Sequence, residues 1–155
     1  MKKIFKLIIS LLIPQLAGGL GSVFTASSVK SWYLVLEKPA FNLPSWVFGP
    51  VWTALFLLMG YSLYIVWMAS GEKKKKAYWV FGAQLTLNIL WSVLFFGLQS
   101  PGAAMVEIIF LLLAIIFNIY FFSKISRTAA WLLVPYLLWV TFASYLNFSI
   151  WKLNM

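Results

Sequence analysis

The sequence predicts an all-α membrane protein, a bundle of five transmembrane helices, and three observations carry that prediction. Of 155 residues, 63% are hydrophobic and only 10% are charged, whereas a soluble domain is about 45–50% apolar and about 25% charged. The apolar residues gather in five stretches, each long enough to cross about 30 Å of hydrocarbon as a helix. Runs such as Ile108 to Phe117 do not alternate as barrel strands must, which leaves helices as the spanning form.

The first stretch, Phe5–Ser27, follows Lys2, Lys3 and Lys6 and begins like the charged and apolar regions of a signal peptide. Its apolar character continues past Gly21 through Val23-Phe24-Thr25-Ala26, with no clean A-x-A site, so it is expected to remain as a helix. Residues 29–44 form a polar, Pro-containing connection long enough to fold back as a lid. The remaining stretches are Ser45–Ala69, Tyr78–Leu98, Ala103–Ser123 and Thr128–Trp151, joined by short connections. With no internal repeat or compositional break, residues 1–155 read as a single domain.

Charge sets the expected orientation. With five spans, Lys2, Lys3, Lys6, Lys73, Lys74, Lys75, Lys76, Lys124 and Arg127 share one side, and Lys30, Lys38 and Lys152 share the other. Nine against three places the N-terminus in the cytoplasm and the long first loop outside. The Lys73–Lys76 run needs no role beyond this, although it also suits contact with anionic lipid. The basic residues form no stripe interleaved with aromatics, so nucleic acid is not an expected partner.

The chain has no His and no Cys, which removes the usual zinc, iron–sulfur and His-ligated haem sites and any thiol or histidine catalysis; no metal site is expected. Three acidic residues, isolated in sequence, make no evident acid–base pair. Nine Trp remain to be explained. Trp46, Trp67, Trp79, Trp131 and Trp151 lie near segment ends and Trp32 lies in the outer loop, positions suited to anchoring at the membrane interface. Trp52, Trp91 and Trp139 lie deeper, where either helix packing or a ligand pocket accounts for them.

Polar residues accompany the deep indoles at helical spacing. Gln84, Asn88 and Trp91 share one face, as do Tyr136, Trp139, Ala143 and Asn147. Trp52, Phe56 and Met59 share a side, and Glu107 and Asn118 are about three turns apart on one face. A carboxylate or amide facing lipid is expensive, so these faces are expected to point into the bundle. For Glu107 and Asn118, interhelical hydrogen bonding is the expected use. For Asn88 with Trp91 and Trp139, an aromatic small-molecule cavity in the outer half is equally suited, with its mouth under the first loop.

Three stretches carry a resemblance. They are Trp32-Tyr33-Leu34-Val35-Leu36-Glu37-Lys38-Pro39 with Pro44-Ser45-Trp46-Val47-Phe48-Gly49-Pro50-Val51-Trp52-Thr53; Met59-Gly60 with Gln84 to Trp91; and Pro135-Tyr136 through Trp139 and Ala143 to Asn147. In order and spacing, over nearly the whole chain, these resemble the TspO/translocator-protein family of tryptophan-rich sensory proteins, also called peripheral-type benzodiazepine receptors. The resemblance implies a five-helix bundle, commonly a homodimer, that binds porphyrins, sterols and benzodiazepine-type ligands in a pocket closed by the first loop. It places Tyr33, Trp52, Asn88, Trp91, Trp139, Ala143 and Leu146 at ligand-binding positions. It also implies that Trp52 and Trp139 are the catalytic pair if the protein degrades protoporphyrin in light.

Some positions depart from the family pattern. Ala103 stands where a Trp is frequent, which implies a wider pocket wall; Phe41 replaces a Trp after Lys38-Pro39, and Leu43 a Pro. The sterol-recognition pattern has Phe148 where Tyr is needed between Leu146 and Lys152. The expected function is therefore a tetrapyrrole-binding sensor or scavenger in a bacterial cytoplasmic membrane, with no required cofactor and a metal-free porphyrin or other hydrophobic small molecule as ligand. The alternatives are a light-dependent porphyrin-degrading enzyme and a porphyrin or sterol transporter. Small residues at Ala17 and Gly21, and at Ser22 and Ala26, suit close helix approach, either between two copies or inside one bundle.

Overall fold

A computed structural model describes residues 2–70 and 74–155; Lys73, counted above for orientation, lies outside the described residues. The chain runs α1 (Lys2–Val29), a single turn α2 (Trp32–Val35), α3 (Ser45–Met68) and α4 (Lys75–Ser92), which ends in a π-helical turn (Val93–Gly97). It continues through α5 (Pro101–Ser123), α6 (Arg127–Trp131) and α7 (Val134–Leu153), with no strand among the described residues. Counting α4 with its π turn, and α6 with α7, five helices are long and apolar enough to cross a membrane. Their outward faces carry exposed Leu16, Val106, Phe110 and Phe117, while buried polar side chains such as Gln84, Glu107, Asn118 and Asn147 point inward.

The fifth stretch is not one continuous helix. Pro135 has no N–H to offer the Trp131 carbonyl. The chain accordingly turns at Leu132 and Leu133 before α7 begins. Ser126 starts α6 by accepting the Ala129 N–H on its hydroxyl. The first connection also holds more structure than a plain loop, since Trp32–Val35 makes a helical turn that buries Tyr33.

Helix α1 packs on α3 and α4, α4 on α5, and α5 on α7. The backbones of α1 and α3 come close at Gly60 of α3, where a Cβ would stand 2.7 Å from both the Leu11 Cα and the Ser10 carbonyl oxygen of α1. That carbonyl is four residues before Pro14 and so has no helical donor of its own. Below this level the bundle is filled with apolar side chains, including the stacked rings of Phe81 and Phe122 at 5.8 Å. A smaller apolar cluster around Tyr33, Phe95, Leu146 and Ile150 closes the opposite end. Between the two clusters the helices leave space.

Candidate functional site

That space is a cavity of about 560 Å³ among α1, α3, α4 and α7, within the roughly 300–1,000 Å³ typical of small-molecule sites. Tyr33, Trp52, Asn88, Trp91, Trp139, Ala143 and Leu146 all line it. Helical periodicity brings this about: Asn88 and Trp91 are one turn apart on α4, and Trp139, Ala143 and Leu146 follow one stripe of α7. Trp52 stacks on Phe56 at 5.5 Å and meets Tyr136 edge-on at 6.1 Å, and Phe48 meets Trp139 edge-on at 5.8 Å.

The polar groups around the cavity differ in what they already hold. The Asn88 amide donates to the Tyr136 hydroxyl at 3.0 Å, and the Trp91 indole N–H donates to Asn147 Oδ1 at 3.0 Å. Asn147 in turn donates to the Pro101 carbonyl at 2.8 Å, tying α7 to the start of α5. Trp139 is different: its Nε1–H is buried and has no partner in the chain. An indole N–H left in that state costs free energy.

The connection between α1 and α3, the expected lid, packs over the end of the cavity lined by Phe95 and Phe96. Tyr33 packs on Phe96 at 5.8 Å and Phe95 at 6.4 Å, and Trp32 meets Phe95 edge-on at 5.7 Å. The Tyr33 hydroxyl donates to Asn42 Oδ1 at 3.1 Å, and Lys38 Nζ lies 4.8 Å over the Tyr33 ring. Burial pushes the Tyr33 hydroxyl above its ordinary pKa, with the Asn42 hydrogen bond acting the other way. Asn154 fastens the end of the lid, accepting from the Glu37 N–H at 3.0 Å and donating to the Glu37 carbonyl at 2.9 Å.

The platform for the lid is the π turn. Leu98 N–H reaches back to Val93 O at 2.7 Å, and Ser28 of α1 donates its hydroxyl to Phe96 O at 2.6 Å. Such turns are rare and recur at functional sites. Nothing in the apolar pattern of residues 93–97 separates it from ordinary helix, so Phe95 and Phe96 were not among the expected lining residues.

Three expectations are corrected by the packing. The mouth is not simply under the loop: Gly19, Ser22 and Ala26 of α1 and Gly49 and Thr53 of α3 line the cavity yet are exposed, so it opens sideways along the α1–α3 seam. Gln15 donates to the Thr53 carbonyl at 3.1 Å across the foot of that seam. Ala103 is exposed and outside the cavity, so its small size widens no wall. Glu107 and Asn118 are buried as expected, but their side-chain polar atoms find no hydrogen-bond partner in the chain, so the interhelical bonds expected of them are not made. Of the small residues of α1, Ala17 and Gly21 are buried within the bundle, where a Cβ on Gly21 would press to 3.0 Å from Ser92 Oγ, whereas Ser22 and Ala26 are exposed.

Comparison with known proteins gives consistent results. Residues 10–152 match the TspO/MBR family model. The chain is 48% identical to "Tryptophan-rich protein TspO" of Archaeoglobus fulgidus over 151 residues, covering 97% of this chain and 98% of that one. It is 44% identical to the protein of the same name from Chlorobaculum tepidum over 156 residues, covering 99% and 98%. It is 38% identical to "Translocator protein" of Homo sapiens over 146 residues, covering 92% and 86%.

Proposed function

The chain belongs to the TspO/MBR family and is an integral membrane protein, and on that premise we propose that it is a receptor for a flat aromatic macrocycle, a metal-free porphyrin, acting as a sensor or scavenger. Relatives named as a sensory protein and as translocator proteins support a role in recognising a small molecule at the membrane. The observation that carries the reading is Trp139, whose ring lines an aromatic cavity and whose buried Nε1–H has no partner in the chain. A porphyrin offers apolar faces to Trp52, Trp91 and Phe48, and peripheral carboxylates as acceptors for an indole donor. Benzodiazepine-type ligands, apolar and aromatic with a carbonyl acceptor, suit the same walls. The basic residues at the N-terminal end support a cytoplasmic N-terminus, with the lid on the outside.

Titration with protoporphyrin, followed by quenching of tryptophan fluorescence, tests the reading. Trp139→Phe keeps the ring and removes the N–H, and is expected to weaken binding by about tenfold. No quenching by the parent protein, or equal affinity in the variant, rejects the assignment.

A second reading is favoured by Trp52 and Trp139 lining one cavity, so that a bound porphyrin meets two oxidisable indoles. Light absorbed by the macrocycle would draw one electron from an indole, leaving an indole radical cation and a porphyrin radical anion. Under that reading porphyrin absorbance fades in light but not in darkness, and fades more slowly in Trp52→Phe. Equal fading in both proteins removes the photochemical role.

A further inference from the structure

The lysine-bearing end of the bundle carries a second concavity, of about 460 Å³, on the outer surface between α1, α3 and α4. It shares no lining residue with the cavity described above. Ile9 and Ile13 of α1, Leu63 of α3 and Leu85 of α4 make its walls, and Trp67 and Tyr78 stand near its lysine-bearing end. Gly82 of α4 also lines it, and a Cβ there would meet nothing within 4 Å. From the level of Lys6 to that of Ile13 the groove follows two turns of α1, about 10 Å, or two-thirds of one leaflet's hydrocarbon.

Among the described residues, the charge at its mouth is of one sign. Lys6 Nζ lies 5.5 Å over the Trp67 ring, and Lys2, Lys3, Lys74, Lys75 and Lys76 belong to the same end of the bundle. The two described acidic residues lie elsewhere, Glu37 in the lid and Glu107 inside α5. An apolar slot ending under a group of lysines fits a hydrocarbon chain attached to an anion. A second copy of this chain fits less well, because a symmetric pairing presents the same surface on both sides and sets the lysines against each other.

We propose that this groove binds one acyl chain of an anionic phospholipid, whose phosphate is held by Lys6 and the neighbouring basic residues. The lipid is recognised by its chain along Ile9, Ile13 and Leu85 and by its charge at the membrane surface. Trp67 serves both parts, since Lys6 Nζ lies over its ring and the same side chain lines the groove. This site is independent of what the larger cavity binds.

Native mass spectrometry of the full chain, released from detergent micelles, provides the test. Phosphatidylglycerol and phosphatidylcholine with identical acyl chains are titrated separately. One phosphatidylglycerol is expected to stay bound, with about fivefold preference over phosphatidylcholine. Gly82→Phe fills the groove from a position with open space and should abolish retention, with the helical circular dichroism and thermal midpoint showing that the variant is folded. Lys6→Gln should bring the two lipids close to equal retention, and it decides the matter if Gly82→Phe does not fold. Equal retention of both lipids by the parent protein, or phosphatidylglycerol retention unchanged in the variants, overturns the proposal. Loss of a dimer mass in Gly82→Phe with lipid retention unchanged also overturns it and gives the groove to a second copy.

Discussion

Trp91 donates its indole N–H to Asn147 at 3.0 Å, and Asn147 passes a hydrogen bond on to the Pro101 carbonyl at 2.8 Å, so one amide joins α4, α7 and α5. Trp91 and Trp139 line the same cavity, yet the first has spent its donor on the fold and the second has not. The two indoles are therefore expected to respond differently to substitution.

Replacing Asn147 by Leu leaves the Trp91 N–H and the Pro101 carbonyl without the partner they share. The expected cost is about 1–3 kcal/mol, read as a lowered thermal midpoint in detergent. Trp139→Phe should leave that midpoint nearly unchanged. A midpoint unmoved in Asn147→Leu removes the structural role given to this amide.

Tyr33 holds the lid on Phe95 and Phe96, so Tyr33→Ala is expected to release it. Hydrogen exchange should then quicken at the amides of Trp32 to Asn42 while α3 and α7 stay protected. Protection unchanged in the lid counts against docking through this side chain.

The same residue sets a pH dependence. Because burial raises the Tyr33 pKa above its ordinary value of 10.0, the docked lid holds the proton more tightly than an undocked one. Docking is at full strength below pH 10 and weakens as pH rises beyond it. Exchange rates of the lid amides, compared between the parent and Tyr33→Phe across that range, should differ by a constant offset from the lost Asn42 hydrogen bond below pH 10 and converge as the parent's lid loosens on the alkaline side.

Two glycines on one helix should respond oppositely to alanine. At Gly60 the added Cβ meets α1 backbone at 2.7 Å, which cannot give way as a side-chain tip would, and a loss of about 1–3 kcal/mol is expected. At Gly49 nothing lies within 4 Å, so alanine should stabilise the helix by about 0.5–1 kcal/mol. Thermal midpoints moving in the same direction would contradict the close approach of α1 and α3.

Gln99 is the one non-glycine residue with positive φ among the described residues, at 50°. It turns the chain between the π turn and α5, in a region that costs a side-chain-bearing residue about 1–2 kcal/mol. Gln99→Gly should therefore raise the thermal midpoint by a few degrees. An unchanged or lower midpoint rejects the strain.

Much of this protein is legible in one dimension. The length of each apolar run decided that five helices cross the membrane, and the 3.6-residue period decided which side chains share a face. That is why Asn88 with Trp91, and Trp139 with Ala143 and Leu146, reach one cavity as expected. Local rules also explain the break before α7, where Pro135 removes a helical donor, although the apolar pattern conceals it. Phe95 and Phe96 were illegible because a π turn changes the phase of a helix without changing its composition.

What the sequence determined by itself was the membrane, the five spans and the inward faces, since these depend on hydrophobicity and spacing along single helices. Which indole keeps a free N–H, which way the cavity opens and where Glu107 and Asn118 end without partners depended on distances between helices. Those distances follow from packing at a few contacts, such as Gly60 against Ser10 and Phe81 against Phe122, and only the assembled bundle brings them about.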